Sequence, residues 1–272
     1  MLKQRVITGL ILVALVFAGV IFLPTELFAL FSLVFIVGLG AWEWAGLTGC
    51  YLPEKRMMGA MMILLASIPL VFIRSDAFWV LLVSVPVWLA VLVALKTYPR
   101  NAGFYKKHAL AMRLSGILVL LPAWYSLMQL HLIHPSYVIY LITLIALADT
   151  AAYFVGKQFG KTKLAPDLSP GKTKEGVSGA IIVTALWAGL GLLWLKLPQG
   201  SEVSFVIISM VVVLMSVAGD LFESLLKREA GVKDSGQILP GHGGILDRID
   251  GLLPAAPLFT LGLLWLGVSA NA

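Results

Sequence analysis

The chain has 272 residues, 60% of them hydrophobic and 12% charged, with a mean hydropathy of +0.95. A soluble domain carries roughly 25% charged residues, so the composition excludes a water-soluble globular protein, and the absence of period-two alternation excludes a membrane β-barrel. The formal charge is +6 and the single Cys50 rules out an internal disulfide or a cysteine metal cluster.

In chain order, Lys3 and Arg5 precede an apolar run that continues to Leu23 without a small-residue cleavage site. It reads as a retained first helix rather than a signal peptide. Nine apolar stretches follow one another at about 5–23, 26–48, 57–74, 77–96, 111–130, 135–156, 177–197, 203–228 and 252–270. Most approach the ~20 residues that cross a bilayer core. The expected class is an all-α, polytopic membrane protein of about nine transmembrane helices. With the N-terminus in the cytoplasm and the C-terminus outside, 18 of the 20 lysines and arginines fall in cytoplasmic segments; only Arg74 and Lys196 do not. The excess positive charge is therefore an effect of topology, and nucleic acid is not an expected partner.

The expected organisation is one integral membrane domain over 1–272. Residues 1–140 are mainly scaffold helices, 141–251 hold the chemistry and its cytoplasmic loops, and 252–272 form the last span. In the scaffold, Glu43 is an acid inside a span between Trp42 and Trp44, open to either an ion-pair or a functional reading. His131 and His134 lack neighbouring acids and read as residues of the outer interface.

The sixth stretch carries Asp149 among apolar residues. The loop after it, SPGKTKEG, offers Ser169, Lys172, Thr173 and Lys174 beside Gly171 and Gly176, a composition suited to phosphate. It is not a P-loop, because the first glycine of G-x-x-x-x-G-K-[ST] would fall on Pro166 and no strand precedes it. At the end of the eighth stretch, Asp220, Glu223, Ser224 and Lys227 share one helix face. Charges there are expensive unless they function. At ~1.5 Å per residue, Asp149 and Asp220 lie roughly 21 and 25 Å from the outer ends of their helices. One polar cavity opening to the cytoplasm is therefore expected. A glycine-rich loop follows, with Lys233, Asp234, His242, Asp247, Arg248 and Asp250. In it, acids able to hold a hard metal alternate with bases able to hold phosphate.

The run S-L-L-K-R-x-x-x-x-K-D-S-G-x-x-L-P-G-H-G-G-I-L-D-R-I-D, Ser224 to Asp250, closely resembles the signature of phosphatidate cytidylyltransferases, also called CDP-diacylglycerol synthases. D-T-A-A-Y-F-x-G-x-x-F-G from Asp149 and S-P-x-K-T-x-E-G from Ser169 resemble the same family. The motifs cover about 149–250; the first 140 residues agree only in being hydrophobic. The resemblance implies the reaction CTP + phosphatidic acid → CDP-diacylglycerol + pyrophosphate at the cytoplasmic interface of a bacterial inner membrane. It implies Mg²⁺, for which Mn²⁺ would substitute, with a potassium ion beside it. It assigns the metal to Asp220 and Asp247, with Asp250 and Asp149 as further ligand candidates. Ser169, Lys172, Thr173 and Lys174, with Asp149 beside them, would serve CTP. Lys227, Arg228 and Arg248 would meet the lipid phosphate, and His242 belongs to the same catalytic signature. CTP, phosphatidic acid and membrane lipids are the implied partners, and a homodimer is a further expectation.

Two other readings are weaker. A CDP-alcohol phosphotransferase needs further acids downstream of DRIDG, and no acid follows Asp250. A secondary transporter or channel predicts charge through both leaflets and often an inverted repeat. The outer segments are nearly uncharged, and no repeat is present.

Overall fold

The computed structural model describes residues 2–73, 77–100, 102–103 and 107–270, with side chains from residue 7 onward. Arg74 and Lys106, and the side chains of Lys3 and Arg5, lie outside that description. The chain is mostly helical, and six of its helices are long and apolar enough to cross a membrane. They are α2 (Thr25–Leu47), α3 (Pro53–Phe72), α4 (Ala77–Thr97), α5 (Ala109–Ile133), α6 (Pro135–Phe159) and α8 (Glu202–Ala230). Helices also occupy the other three predicted stretches: α1 (Leu2–Phe22), α7 (Lys174–Gly191) and α10 (Leu252–Trp265).

Boundaries moved where local chemistry outweighs hydropathy. α3 starts at Pro53, not at 57, because proline at the first helical position lacks only an amide that has no helical partner there, and Glu54 follows in the first turn. α6 starts at Pro135, as expected, and runs on to Phe159; His134 caps it by accepting the Ser136 N–H at 3.2 Å. Inside α2, residues Leu33–Leu39 form a π-helical stretch.

α5 is the central pillar: 78% of its most apolar window is buried, against 17% for α3. α10 packs beside it and against α8, and α6 runs along α7. The core is aromatic at depth. Tyr140, Phe205 and Phe259 pack ring to ring, with centroids 5.1 to 6.2 Å apart, and Tyr140 Oη lies 2.8 Å from Ser209 Oγ. Such pairs contribute beyond area burial. Indole N–H groups of Trp44 and Trp124 donate to the carbonyls of Met112 and Ala29, which ties α2 to α5 and leaves neither amine unsatisfied.

Two expectations are corrected. His131 is not an interfacial residue: it is 4% exposed, stacks on Phe28 and hydrogen-bonds Val20 O and Thr25 Oγ1, each at 3.0 Å, so it clamps the α1–α2 turn. The segment expected as loop after α6 is a two-stranded antiparallel hairpin, β1 (Lys163–Ala165) and β2 (Ser169–Thr173), with Lys163 opposite Thr173. Cys50 is buried, 4% exposed.

Candidate active site

α8 presents Asp220, Glu223 and Lys227 along one face, as the spacing predicts. Two polar clusters are built on that face.

The first brings together α6, the hairpin, α8 and the turn before α10. Lys172 projects from β2 and pairs with Asp220, Nζ to Oδ2 at 2.6 Å. Asp250 sits in the turn between α9 (Leu246–Ile249) and α10, against α8. A Cβ at Gly219 would collide with the Asp250 carbonyl, so glycine there permits the approach. Burial first, then the neighbouring Asp220 carboxylate, push Asp250 up to about 7; Lys172 opposes this and Asp149 adds to it. Asp149, Asp220, Asp250 and Lys172 therefore form one electrostatic unit, with three carboxylates against one ammonium. When all are ionised, two negative charges remain uncompensated. That excess, carried on oxygen donors, fits a hard divalent cation. No group of three or more His, Cys, Asp or Glu side chains in metal-holding geometry occurs among the described residues.

The second cluster locks the glycine-rich loop onto α2 and α8. Lys227 Nζ bridges Glu223 Oε2 at 2.5 Å and Asp247 Oδ1 at 2.6 Å. The other Asp247 oxygen accepts from the Ser235 N–H at 2.9 Å, Ser235 Oγ at 2.9 Å and the Gly244 N–H at 2.8 Å. Burial works against ionisation, but the hydrogen bonds from Lys227 and from the Gly244 and Ser235 amides prevail and hold Asp247 at about 2. Glu43, 2% exposed, accepts from the Ile245 N–H at 3.0 Å, the Leu246 N–H at 2.9 Å and Ser235 Oγ at 2.9 Å. A side chain at Gly244 would overlap this carboxylate, so the glycine is a steric requirement of the Glu43 contact.

The two aspartates expected to share a metal have different partners: Asp220 pairs with Lys172, and Asp247 with Lys227 and the Ser235 and Gly244 amides. Asp220 joins Asp250 and Asp149, whereas both Asp247 oxygens are committed to the loop and Lys227. Of the residues assigned to CTP, Lys172 is in the acid cluster and Ser169 lies on the same strand. Thr173 is buried and caps α7 by accepting the Gly176 N–H at 3.1 Å. Lys174 is exposed at the start of α7. Arg228 donates to Leu168 O at 3.4 Å and ties α8 to the hairpin turn. Arg248 is exposed and donates to His242 O at 2.9 Å. His242 points its chemistry elsewhere: its Nδ1 is buried and has no hydrogen-bond partner among the described residues.

Sequence reasoning placed Glu223 on the charged face of α8 without a role, left Glu43 open between an ion pair and a function, and missed Ser235. Glu223 had a signal, an acid one turn before Lys227 on the same face. Glu43 had a weaker one, an acid inside a span. Ser235 had only its place in the signature.

Comparison with known proteins identifies the family. A model described as the cytidylyltransferase family matches residues 3–265. A Pseudomonas aeruginosa protein named phosphatidate cytidylyltransferase is 40% identical over 269 residues, 97% of each chain. One of that name from Haemophilus influenzae is 34% identical over 285 residues, covering 96% of this chain and 98% of its own. One from Bacillus subtilis is 45% identical over 125 residues, 45% of each chain. A family match that reaches from the first helix to the last, and relatives that align end to end, establish that the chain belongs to the cytidylyltransferase family.

Proposed function

We propose that the chain transfers CMP from CTP to phosphatidic acid, giving CDP-diacylglycerol and pyrophosphate for phospholipid synthesis, at the cluster of Asp149, Lys172, Asp220 and Asp250. The observation that carries the site is the Lys172–Asp220 pair at 2.6 Å, which brings the phosphate-suited strand to the acid face of α8. The relatives' shared name supports the reaction.

A lipid phosphate monoester is already ionised, since its second pKa is near 6. Its oxygen forms the bond to the α-phosphorus of CTP, and the bond to the β-phosphate breaks with release of pyrophosphate. No general base has to act on that oxygen. The protein has to position two anions and neutralise them. Asp220 and Asp250, with Asp149 close by, would hold Mg²⁺ or Mn²⁺, which supplies charge neutralisation at the transferring and leaving phosphates. Lys172 supplies a mobile ammonium at the same place, with its strand fixed by the Thr173 cap. Asp247 and Glu43 hold the loop, so that Arg248 stands at the membrane side as the phosphate-facing cation for the lipid.

The nine apolar helices and the distribution of basic residues support nine crossings with the N-terminus and the active site facing the cytoplasm. Purified protein incubated with labelled CTP, phosphatidic acid and Mg²⁺ should form labelled CDP-diacylglycerol and pyrophosphate. Absence of product from folded protein would refute the assignment.

A further inference from the structure

Beside the charged clusters lies a cavity of about 360 Å³, bounded by α1, α2, α5, α6 and the glycine-rich loop. That lies within the ~300–1,000 Å³ of small-molecule sites. Its walls are apolar, with Leu12, Val16 and Val20 of α1 facing Phe35 of α2. The polar residues on its lining are Ser32, His242 and Arg248. Ser32 is spent on its own helix, donating to Phe28 O at 2.8 Å. The polar character is therefore confined to one end, where His242 and Arg248 belong to the same loop that carries Asp247 and Asp250.

Two dimensions matter. The α1 lining runs from Gly9 to Val20, about 16 Å at the helical rise of ~1.5 Å per residue. That is half of a hydrocarbon core of ~30 Å, the depth of one leaflet. A slot one leaflet deep, greasy along its length and cationic at its end, has the outline of a single lipid chain beneath an anionic headgroup. At this end, a Cβ on Gly9 would lie at van der Waals distance, 3.7 Å, from His242 Nε2, which places His242 beside the first lining residue of α1. The buried His242 Nδ1, without a partner among the described residues, adds a spare polar atom where ester or phosphate oxygens give way to chain.

We infer that this slot holds one acyl chain of the phosphatidic acid substrate, with its phosphate beside Arg248 and His242 on the way to Asp250. The inference rests on the proposed reaction and adds a determinant of how the lipid is selected and oriented. A resident bilayer phospholipid would suit the apolar walls equally well. Continuity with the reactive loop favours the substrate instead.

The experiment has two arms, and turnover of CTP with dihexanoyl phosphatidic acid by the unaltered protein tests the reaction on its own. In the first arm, the unaltered protein is photolabelled with phosphatidic acid carrying a diazirine midway along one chain. Label is expected on the peptide spanning residues 7–23, and excess phosphatidic acid should remove it while phosphatidylglycerol does not. Label elsewhere, or equal competition by phosphatidylglycerol, would overturn the inference. In the second arm, Val16→Trp fills the slot, and Leu10→Trp places the same indole on an exposed position of α1 outside it. Val16→Trp should lower kcat/KM for dioleoyl relative to dihexanoyl phosphatidic acid by about tenfold or more. Leu10→Trp should leave that ratio unchanged. Equal ratios in both variants refute the slot, and a Val16→Trp protein that fails to fold leaves the labelling pattern to decide.

Discussion

The Glu43 carboxylate accepts the backbone N–H of Leu246 at 2.9 Å, across 203 residues of chain. An acid near the end of the second helix thereby fixes the start of α9 and the turn that carries Asp247 and Asp250. Glu43→Ala would leave the buried Ile245 and Leu246 amides unpaired, at ~1–3 kcal/mol each. The variant should melt earlier and lose most turnover, and Glu43→Gln, which keeps an acceptor oxygen, should fall between. Melting curves in detergent and kcat for the three proteins check this; a wild-type kcat in Glu43→Ala would contradict it.

Lys172→Ala removes the ammonium from the acid cluster. Charge-assisted contacts to phosphate are worth ~1.5–3 kcal/mol, so kcat/KM for CTP should fall roughly tenfold to more than a hundredfold. Steady-state kinetics at limiting CTP measure it, and a folded variant with full activity would remove Lys172 from the site.

Asp220→Asn and Asp250→Asn should each nearly abolish turnover and raise the Mg²⁺ concentration needed for any that remains. EDTA should stop the unaltered enzyme, and Mg²⁺ or Mn²⁺ should restore it. Asp247→Asn should impair activity through the loop, with its Mg²⁺ requirement unchanged. A Mg²⁺ titration of the three variants separates the roles; a shifted requirement in Asp247→Asn alone would return the metal to that residue.

Asp247 also sets a pH dependence. Its folded value of about 2 lies below the ordinary 3.8, so ionised Asp247 stabilises the fold by about 2 kcal/mol. That contribution is complete above the unfolded value and is lost as pH falls through 4 toward 2. The melting-temperature gap between the unaltered protein and Asp247→Asn should therefore narrow over that interval. A gap constant from pH 6 to pH 2 would show that the Lys227 pair contributes nothing.

Orientation is testable beside Cys50, which is buried while Tyr51 is 72% exposed. In a Cys50→Ala background, Tyr51→Cys should react with an impermeant maleimide in inverted vesicles and stay unlabelled in right-side-out ones. Labelling from the outside would reverse the topology.

Much of this architecture was legible in the sequence because bilayer physics writes it in hydropathy. The apolar runs lie on helices, six of them long and apolar enough to cross a membrane among the described residues, and the α8 face emerged from i, i+3 and i+7 spacing. The charged signature was equally plain, because acids and bases at a membrane surface stand out from their neighbours. What could not be read was partnership. Nothing local to Glu43 names Leu246, and nothing in His131 names Val20; these contacts depend on helix packing across the whole chain. The hairpin was missed because Ser-Pro-Gly-Lys-Thr has no alternation of apolar residues to mark a strand. Asp220 and Asp247 looked equivalent in the sequence, and only their surroundings separate them: one meets other acids, the other lies among donors.

The Lys172–Asp220 contact gives the resting site something to trade. In the proposed reaction, nucleotide phosphates arriving with a divalent ion would offer each member of the pair a replacement, oxyanion for the ammonium and cation for the carboxylate. Such a swap conserves the number of opposite-sign neighbours around every group from start to finish. Under that reading Lys172 and Asp220 would each keep an opposite-sign neighbour as the site is loaded and emptied, while the Thr173 cap holds the strand in place.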